Sequence, residues 1–302
     1  MSIRIDDQIT FRKLEMLLAF IEVGSLARAA ERLDTSAVSV HRALRTLEEA
    51  MRCALFRTEG RNLVPLEAAL VLAETAREVL GRMARGIDAT RKAGGYSSQT
   101  MRIGSLYSLT VQTVPRLLVD LKVRRPQLQP ELVLGSNADL LDKLQQGDID
   151  AALMAIPPDQ PQLESLALFD DEIFFAAPSG SRYSGMDTVD LRLCKGERFV
   201  SLGEGFATYA GFREAFSQAG FEPEVAMYTD DIFSLMSLVR GGVGCTLLPG
   251  RVRDVFAHQI DLLPLHGAQR MRQHIGLSFL RARERDPNLL ALQTVCRLNH
   301  PR

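Results

Sequence analysis

Gly24-Ser25-Leu26-Ala27-Arg28-Ala29-Ala30-Glu31-Arg32-Leu33-Asp34-Thr35-Ser36-Ala37-Val38-Ser39-Val40-His41-Arg42-Ala43-Leu44-Arg45 reads as two helical stretches around a tight polar turn. Ser25 suits an N-cap for a short helix through Leu33, in which Ala29-Ala30 permit close helix contact. Asp34-Thr35-Ser36 offers several capping side chains. From about Ala37 to Met51, Val40, Leu44, Leu47 and Met51 recur at helical spacing. Upstream, Phe11, Leu14, Leu17, Leu18 and Ile21 fit one face of a first helix, with Gly24 as its stop. Helix, short Ala-rich helix, turn, helix is the plan of a helix-turn-helix.

The third helix carries the strongest chemical signal. Ser39, Arg42 and Arg45 point away from its apolar side, with Ser36 at its N-terminus, His41 beside them and Arg28 on the preceding helix. Arginine pairs bidentately with guanine or grips phosphate, while serine hydroxyls and a helix N-terminus bind phosphate oxygens. An ordinary solvated face would also carry such residues, so the weight falls on their company. Arg57-Thr58-Glu59-Gly60-Arg61-Asn62-Leu63-Val64 is short, basic and turn-prone, a two-stranded wing with Gly60 near its tip. Arg57 and Arg61 add cations there.

Pro65 opens a long helix to about Thr90, with Leu66, Leu70, Ala73, Ala76, Leu80, Met83 and Ile87 in a stripe. That stripe suits either a face lying on its own domain or a dimer seam, and the helix's length and following linker favour the seam. The expected boundaries are a winged helix-turn-helix at 1–64, a linker helix at 65–91, a hinge at 92–100 and a two-lobed domain at 101–302. In the last, strands at 101–106, 131–134 and 151–155 alternate with helices at 109–124 and 138–146. Strands near 173–176, 199–202, 224–227 and 245–248, with helices near 209–219 and 231–240, form a second unit. A strand at 273–280 returns to the first, and a helix at 288–298 closes the chain. Alternating elements predict parallel α/β lobes with a ligand cleft at the strand ends.

Composition narrows the classes. The 302 residues are 46% hydrophobic and 24% charged, enough for a sizeable core. No apolar run approaches a membrane span, and the first residues are too acidic and broken for a secretory signal. Cys53, Cys194, Cys245 and Cys296 form no CxxC pair, so they read as small core residues in a reducing cytoplasm. Five histidines show no metal-ligand spacing. No nucleophile elbow or HExxH motif is present, and no cofactor or catalytic constellation is expected. Gly203-Glu204-Gly205 and Gly241-Gly242-Val243-Gly244 lack the rest of a nucleotide-binding loop and read as turns. Net charge is −1, with the basic excess confined to the N-terminal third.

Gly24-Ser25-Leu26, Ala29 to Leu33, Ser36, Val40, Arg42, Leu44, Leu47-Glu48-Glu49, Leu55-Phe56, Gly60, Arg61 and Pro65 together resemble the LysR-type transcriptional regulators. The resemblance covers nearly the whole chain. It implies a winged helix-turn-helix on double-stranded operator DNA, a dimer through the linker helix, commonly a tetramer, and a small co-inducer between the lobes. Contact with RNA polymerase and a role as activator are also expected, with repression the open alternative. Ser39-Val40-His41-Arg42-Ala43-Leu44, Gly104 to Thr110, Gly135-Ser136-Asn137 and Glu204 to Phe212 resemble regulators of malonate decarboxylase operons within that family. Ala37, Val38 and His41 depart from common family residues, so base preference does not carry over. Val64 stands where the family has a Thr before the linker-helix proline.

Ser105-Leu106-Tyr107-Ser108 joins a strand to a helix N-terminus, a combination suited to a carboxylate. Ser136-Asn137 offers a second such edge, and Ser201 to Thr208, before Tyr209, a third. The candidate ligand residues are Ser105, Tyr107, Ser108, Ser136, Asn137, Ser201, Thr208 and Tyr209, and the candidate ligand is a small acid such as malonate. Ordinary N-capping is the rival account of each hydroxyl. Arg213 is a candidate partner for the acid or half of a surface ion pair, and Asp231 or its neighbour reads as a cap. The alternative to a regulator is a small-acid-binding protein or enzyme on the same two-lobed fold.

Overall fold

The computed structural model describes residues 5–60, 62–93 and 99–299. Arg61 of the wing and residues 94–98 of the expected hinge lie outside the described residues. The chain divides into a unit of residues 1–94 and a unit of residues 95–302.

In the first unit, α1 (Phe11–Val23), α2 (Leu26–Arg32) and α3 (Ala37–Met51) precede an antiparallel pair, β1 (Phe56–Glu59) and β2 (Asn62–Pro65), and then α4 (Glu67–Ala93). Leu14, Leu17 and Phe20 of α1 meet Ala29 and Ala30 of α2 and Val40, Leu44 and Leu47 of α3 in one core. The two alanines bring α2 close, as their size implies. Ser36 caps α3, its Oγ accepting the Ser39 N–H at 3.1 Å. Glu48 fixes the corner that follows, its Oε1 accepting the N–H groups of Leu55 and Phe56 at 2.9 and 3.1 Å. Phe20 packs edge-on against Phe56 with ring centroids 5.5 Å apart, which seats the pair of strands on α1.

Pro65 does not open the long helix. It closes β2 opposite Phe56, because the next N–H, that of Leu66, bonds the Leu55 carbonyl at 2.8 Å and keeps the chain extended. The helix begins at Glu67, an acidic residue in the first turn where the helix dipole favours it. Its apolar stripe divides in two. Ala69, Ala73 and Ala76 are buried on the unit's own core, while Leu70, Val71, Val79, Met83 and Ile87 are exposed.

The second unit is two α/β lobes joined by two long strands. The first lobe holds β3 (Thr100–Ser105), α5 (Thr113–Arg124), β4 (Gln129–Leu134), α6 (Asn137–Gln146) and β5 (Ala151–Ala155). Strand β6 (Leu163–Pro178) then runs into the second lobe, with β7 (Arg198–Leu202), α7 (Ala207–Ala219), β8 (Glu224–Thr229), α8 (Ile232–Arg240), β9 (Thr246–Pro249) and β10 (Ile260–Pro264). Strand β11 (Arg272–Leu280) returns, and α9 (Pro287–Leu298) ends the described chain on the first lobe's core. The sheet order is β10-β6-β11-β5-β3-β4, with β9 also on β6, and β7–β8 form a parallel pair.

The expectation of wholly parallel sheets is corrected. β3 is parallel to β4 and β5, but β11 is antiparallel to β5 and β6, and β6 is antiparallel to β9 and β10. The physical reason is that β6 and β11 are the connections between lobes, so they traverse the sheets in opposite directions. The helix expected at 109–124 is a 3-10 turn, Tyr107–Thr110, followed by α5; Pro115, lacking an N–H, sits in its first turn. Cys194, Cys245 and Cys296 are buried as expected, but Cys53 is exposed, because the chain leaves α3 through the left-handed Arg52. No helix among the described residues is long and apolar enough to cross a membrane.

Candidate functional site

Two sites emerge, one in each unit. On α3, Val40, Ala43, Leu44 and Leu47 are buried, which turns His41, Arg42 and Arg45 to solvent. Arg28 of α2 is also exposed. The side chains of Arg28, Arg42 and Arg45 make no ion pair or hydrogen bond among the described residues. Ser36 and Ser39 lie at the N-terminus of α3, their hydroxyls 2.8 Å apart. Arg57 on β1 is exposed and paired with Glu59 at 2.7 Å. Val38, one turn before Arg42, is 66% exposed and adds an apolar group to this face. Exposed cations without partners beside a helix N-terminus can take a polyanion at little desolvation cost.

The second site is the cleft between the lobes. It is a half-open cleft of about 300 Å³, open solvent at its mouth included, and is lined from both sides. Tyr107 and Ser108 come from the first lobe's 3-10 turn, Asn137 from the start of α6, Thr208 from the start of α7, Arg251 from the turn after β9, and Gln273 from β11. Leu106, Leu202, Phe206 and Ile232 supply apolar wall. No side chain caps α7, so its first N–H groups stand at the cleft.

Arg251 organises the floor. Only 10% of its side chain is exposed, and its Nη1 is 2.6 Å from Oδ2 of Asp171, itself 9% exposed on β6. Nη1 also donates to Gln273 Oε1 at 3.0 Å, and Nε donates to Ser108 Oγ at 2.8 Å. Nη2 has no hydrogen-bond partner among the described residues. Burial draws the guanidinium below its ordinary pKa, and the Asp171 carboxylate opposes that. Gly250 permits the arrangement: a Cβ there would lie 2.9 Å from the Phe174 ring and 3.0 Å from Asp171 Oδ1. Across the mouth, Ala138 N–H donates to the Gly205 carbonyl at 3.1 Å, and a Cβ on Gly205 would approach Ser136 Oγ to 2.9 Å. Gln273 Nε2 donates to Thr208 Oγ1 at 3.4 Å. A buried cation with an open N–H, ringed by hydroxyls and amides, can hold a carboxylate.

Tyr107, Ser108, Asn137 and Thr208 of the sequence-expected set meet in this cleft. Ser105, Ser136, Ser201 and Tyr209 are not among its lining residues. Ser105 and Ser201 are buried and donate to the carbonyls of Leu106 and Leu202, both at 3.0 Å. Ser136 is committed to a capping box with Asp139. Arg213 pairs at the surface with Glu222 at 2.7 Å, and Asp231 caps α8 through Phe233 and Ser234. Arg251, Asp171 and Gln273 escaped the sequence reading. Pro249-Gly250-Arg251 after a buried strand was the available signal, since a strand's C-terminal end is where such clefts place ligand groups.

Comparisons with known proteins agree with this division. Residues 11–70 match the model described as bacterial regulatory helix-turn-helix protein, lysR family. Residues 94–299 match the LysR substrate binding domain. The chain is 49% identical over 291 residues to the malonate utilization transcriptional regulator of Klebsiella pneumoniae, covering 95% of this chain and 94% of that protein. It is 26% identical to the Hca operon transcriptional activator HcaR of Escherichia coli, covering 85% and 87% of the two chains. Among solved structures, full-length CbnR complexed with target DNA aligns at a TM-score of 0.71 and 20% identity, over 96% of this chain and 100% of that one. The effector-binding domain of QuiR in complex with shikimate aligns at 0.61 and 16%, over 68% and 98%. With a lysR-type helix-turn-helix at one end and the family's substrate-binding domain over the rest, the chain belongs to the LysR family of transcriptional regulators.

Proposed function

We propose that this regulator binds a small carboxylic acid, malonate or a close relative, in the cleft around Arg251 and thereby controls a catabolic operon. The observation that carries the reading is the buried Arg251 guanidinium, held by Asp171 with Nη2 left open, between Ser108, Thr208 and Gln273. The identity to a malonate utilization regulator supports the choice of acid. Tyr107, Asn137 and the start of α7 complete the ligand shell. At the other site, Ser36, Ser39, His41, Arg42 and Arg45 enter the major groove, while Arg28, Arg57 and Arg61 hold phosphates. The exposed apolar side of α4 pairs two copies, two such dimers form a tetramer, and the assembly acts as an activator with RNA polymerase in the cytoplasm. Acid binding changes lobe closure and so the state of the assembly on DNA.

Calorimetric titration with malonate, together with a mobility shift on the gene's own upstream duplex, tests the reading. The expected result is saturable acid binding and an operator complex whose affinity or mobility changes with malonate. Tight acid binding with no affinity for the upstream duplex would favour the solute-binding alternative, and no binding of any small acid would end the assignment of the cleft.

A further inference from the structure

The charge of the cleft and one orphaned oxygen indicate which ionic form of the acid it takes. Arg251 is the one charged residue among the described residues lining the cleft, and Asp171 already matches its charge. A carboxylate placed against Nη2 brings one net negative charge into this setting. A second carboxylate would meet no cation, and an uncompensated buried charge is strongly disfavoured. The carboxylates on the same framing elements, Asp139, Glu204, Asp230, Asp231 and Asp254, add no positive charge. Of the remaining charged neighbours, Arg253 is stacked on the Phe174 ring, His274 is paired with Asp170, and Arg272, exposed on β11, alternates to the face opposite the buried Gln273.

Asn137 supplies an independent observation. Its Nδ2 donates to the Ala155 carbonyl at 3.1 Å, which settles the orientation of the amide. Oδ1 is left buried with no hydrogen-bond partner among the described residues, on a side chain that lines the cleft. A buried acceptor left unmet is costly, so a ligand that donates to it is favoured. An ionised carboxylate has no proton to offer and would set oxygen against oxygen.

We infer that the cleft selects an acid of one net negative charge that also carries a hydrogen-bond donor: a half-protonated dicarboxylate, or a monocarboxylate bearing an amide or hydroxyl. The carboxylate meets Arg251 and the donor meets Asn137 Oδ1. A dicarboxylate that is doubly ionised in solution takes one proton from solvent as it binds, onto the carboxyl group facing Asn137. This rests on the reading of the cleft as an acid site.

The test is calorimetry on the full chain with malonate, malonamate (one charge, with a donor) and monomethyl malonate (one charge, no donor). Malonate affinity should fall about tenfold per pH unit from about pH 6 to about pH 8, while malonamate affinity stays level. Malonamate should bind about tenfold or more tighter than the ester. Asn137→Leu should erase that preference, with its urea unfolding curve reporting that the fold survives. Malonate binding that ignores pH, or an ester that binds as well as the amide, overturns the inference and leaves the acid site standing. Absence of binding by all three acids overturns the reading of the cleft and this inference with it.

Discussion

Arg42 and Arg45 on α3 stand in solvent with no partner among the described residues, whereas Arg251 is nearly enclosed and already bonded to Asp171, Gln273 and Ser108. The two settings suit two anions. DNA is a large polyanion that brings its own charge density, so its protein partner needs cations that are accessible and cheap to desolvate. A small acid enters a cleft between two lobes and sheds part of its hydration at the buried floor. Its partner must be a cation already stripped of water and stabilised in advance, and an internal carboxylate does that for Arg251. Exposed arginines are therefore expendable to the fold, and the enclosed one is not.

Substitution should expose that asymmetry most sharply at Arg251. Arg251→Met leaves Asp171 buried and unmatched, and should cost the second unit about 3–5 kcal/mol in urea unfolding. Arg251→Gln with Asp171→Asn removes both charges and should restore most of that stability without restoring acid binding. A single variant that unfolds like the wild type would show that the Arg251–Asp171 pair does not hold the second unit together. Arg42→Ala should weaken operator binding by about 1–3 kcal/mol in a mobility shift while acid affinity and stability stay put. Unchanged operator affinity would remove Arg42 from the DNA face.

Smaller effects sharpen the same contrast. Ser36→Ala removes the cap of α3 and should lower the thermal stability of the first unit by about 1 kcal/mol. In the second unit, hydrogen bonding from Arg192, with Gln269, holds the Asp190 carboxyl well below the usual range, and Ser136 lowers Asp139. Depressed carboxylates contribute stability above the unfolded value near 4 and lose it as pH falls through their folded values. The second unit's unfolding midpoint should stay level from neutrality to about pH 5 and decline below about pH 4. A level profile through that acid range would discount these carboxylates.

The same contrast explains what could be read in advance. The DNA face is written in consecutive residues: the apolar period of Val40, Leu44 and Leu47 fixes which side of α3 is outward, and Arg42 and Arg45 follow. The cleft is assembled from distant segments. Ser108, Asp171, Arg251 and Gln273 lie on four separate elements and meet because β6 and β11 cross between lobes. Local pattern does not report that meeting, and it could not separate Ser108, which accepts from Arg251, from Ser105 and Ser136, which serve backbone and cap. Strand β6 was half legible, since Glu164, Asp170 and Asp171 interrupt its first part. The long helix showed one stripe where the molecule has two apolar faces, one of small alanines and one of larger exposed side chains.

Fluorescence anisotropy of the upstream duplex with the full chain, titrated with and without malonate, tests the central role of Arg251 most directly when the wild type is set beside Arg251→Gln/Asp171→Asn. The account predicts equal operator affinity for the two proteins without acid, and a malonate response in the wild type alone. A double variant that binds the duplex and answers malonate as the wild type does would contradict it.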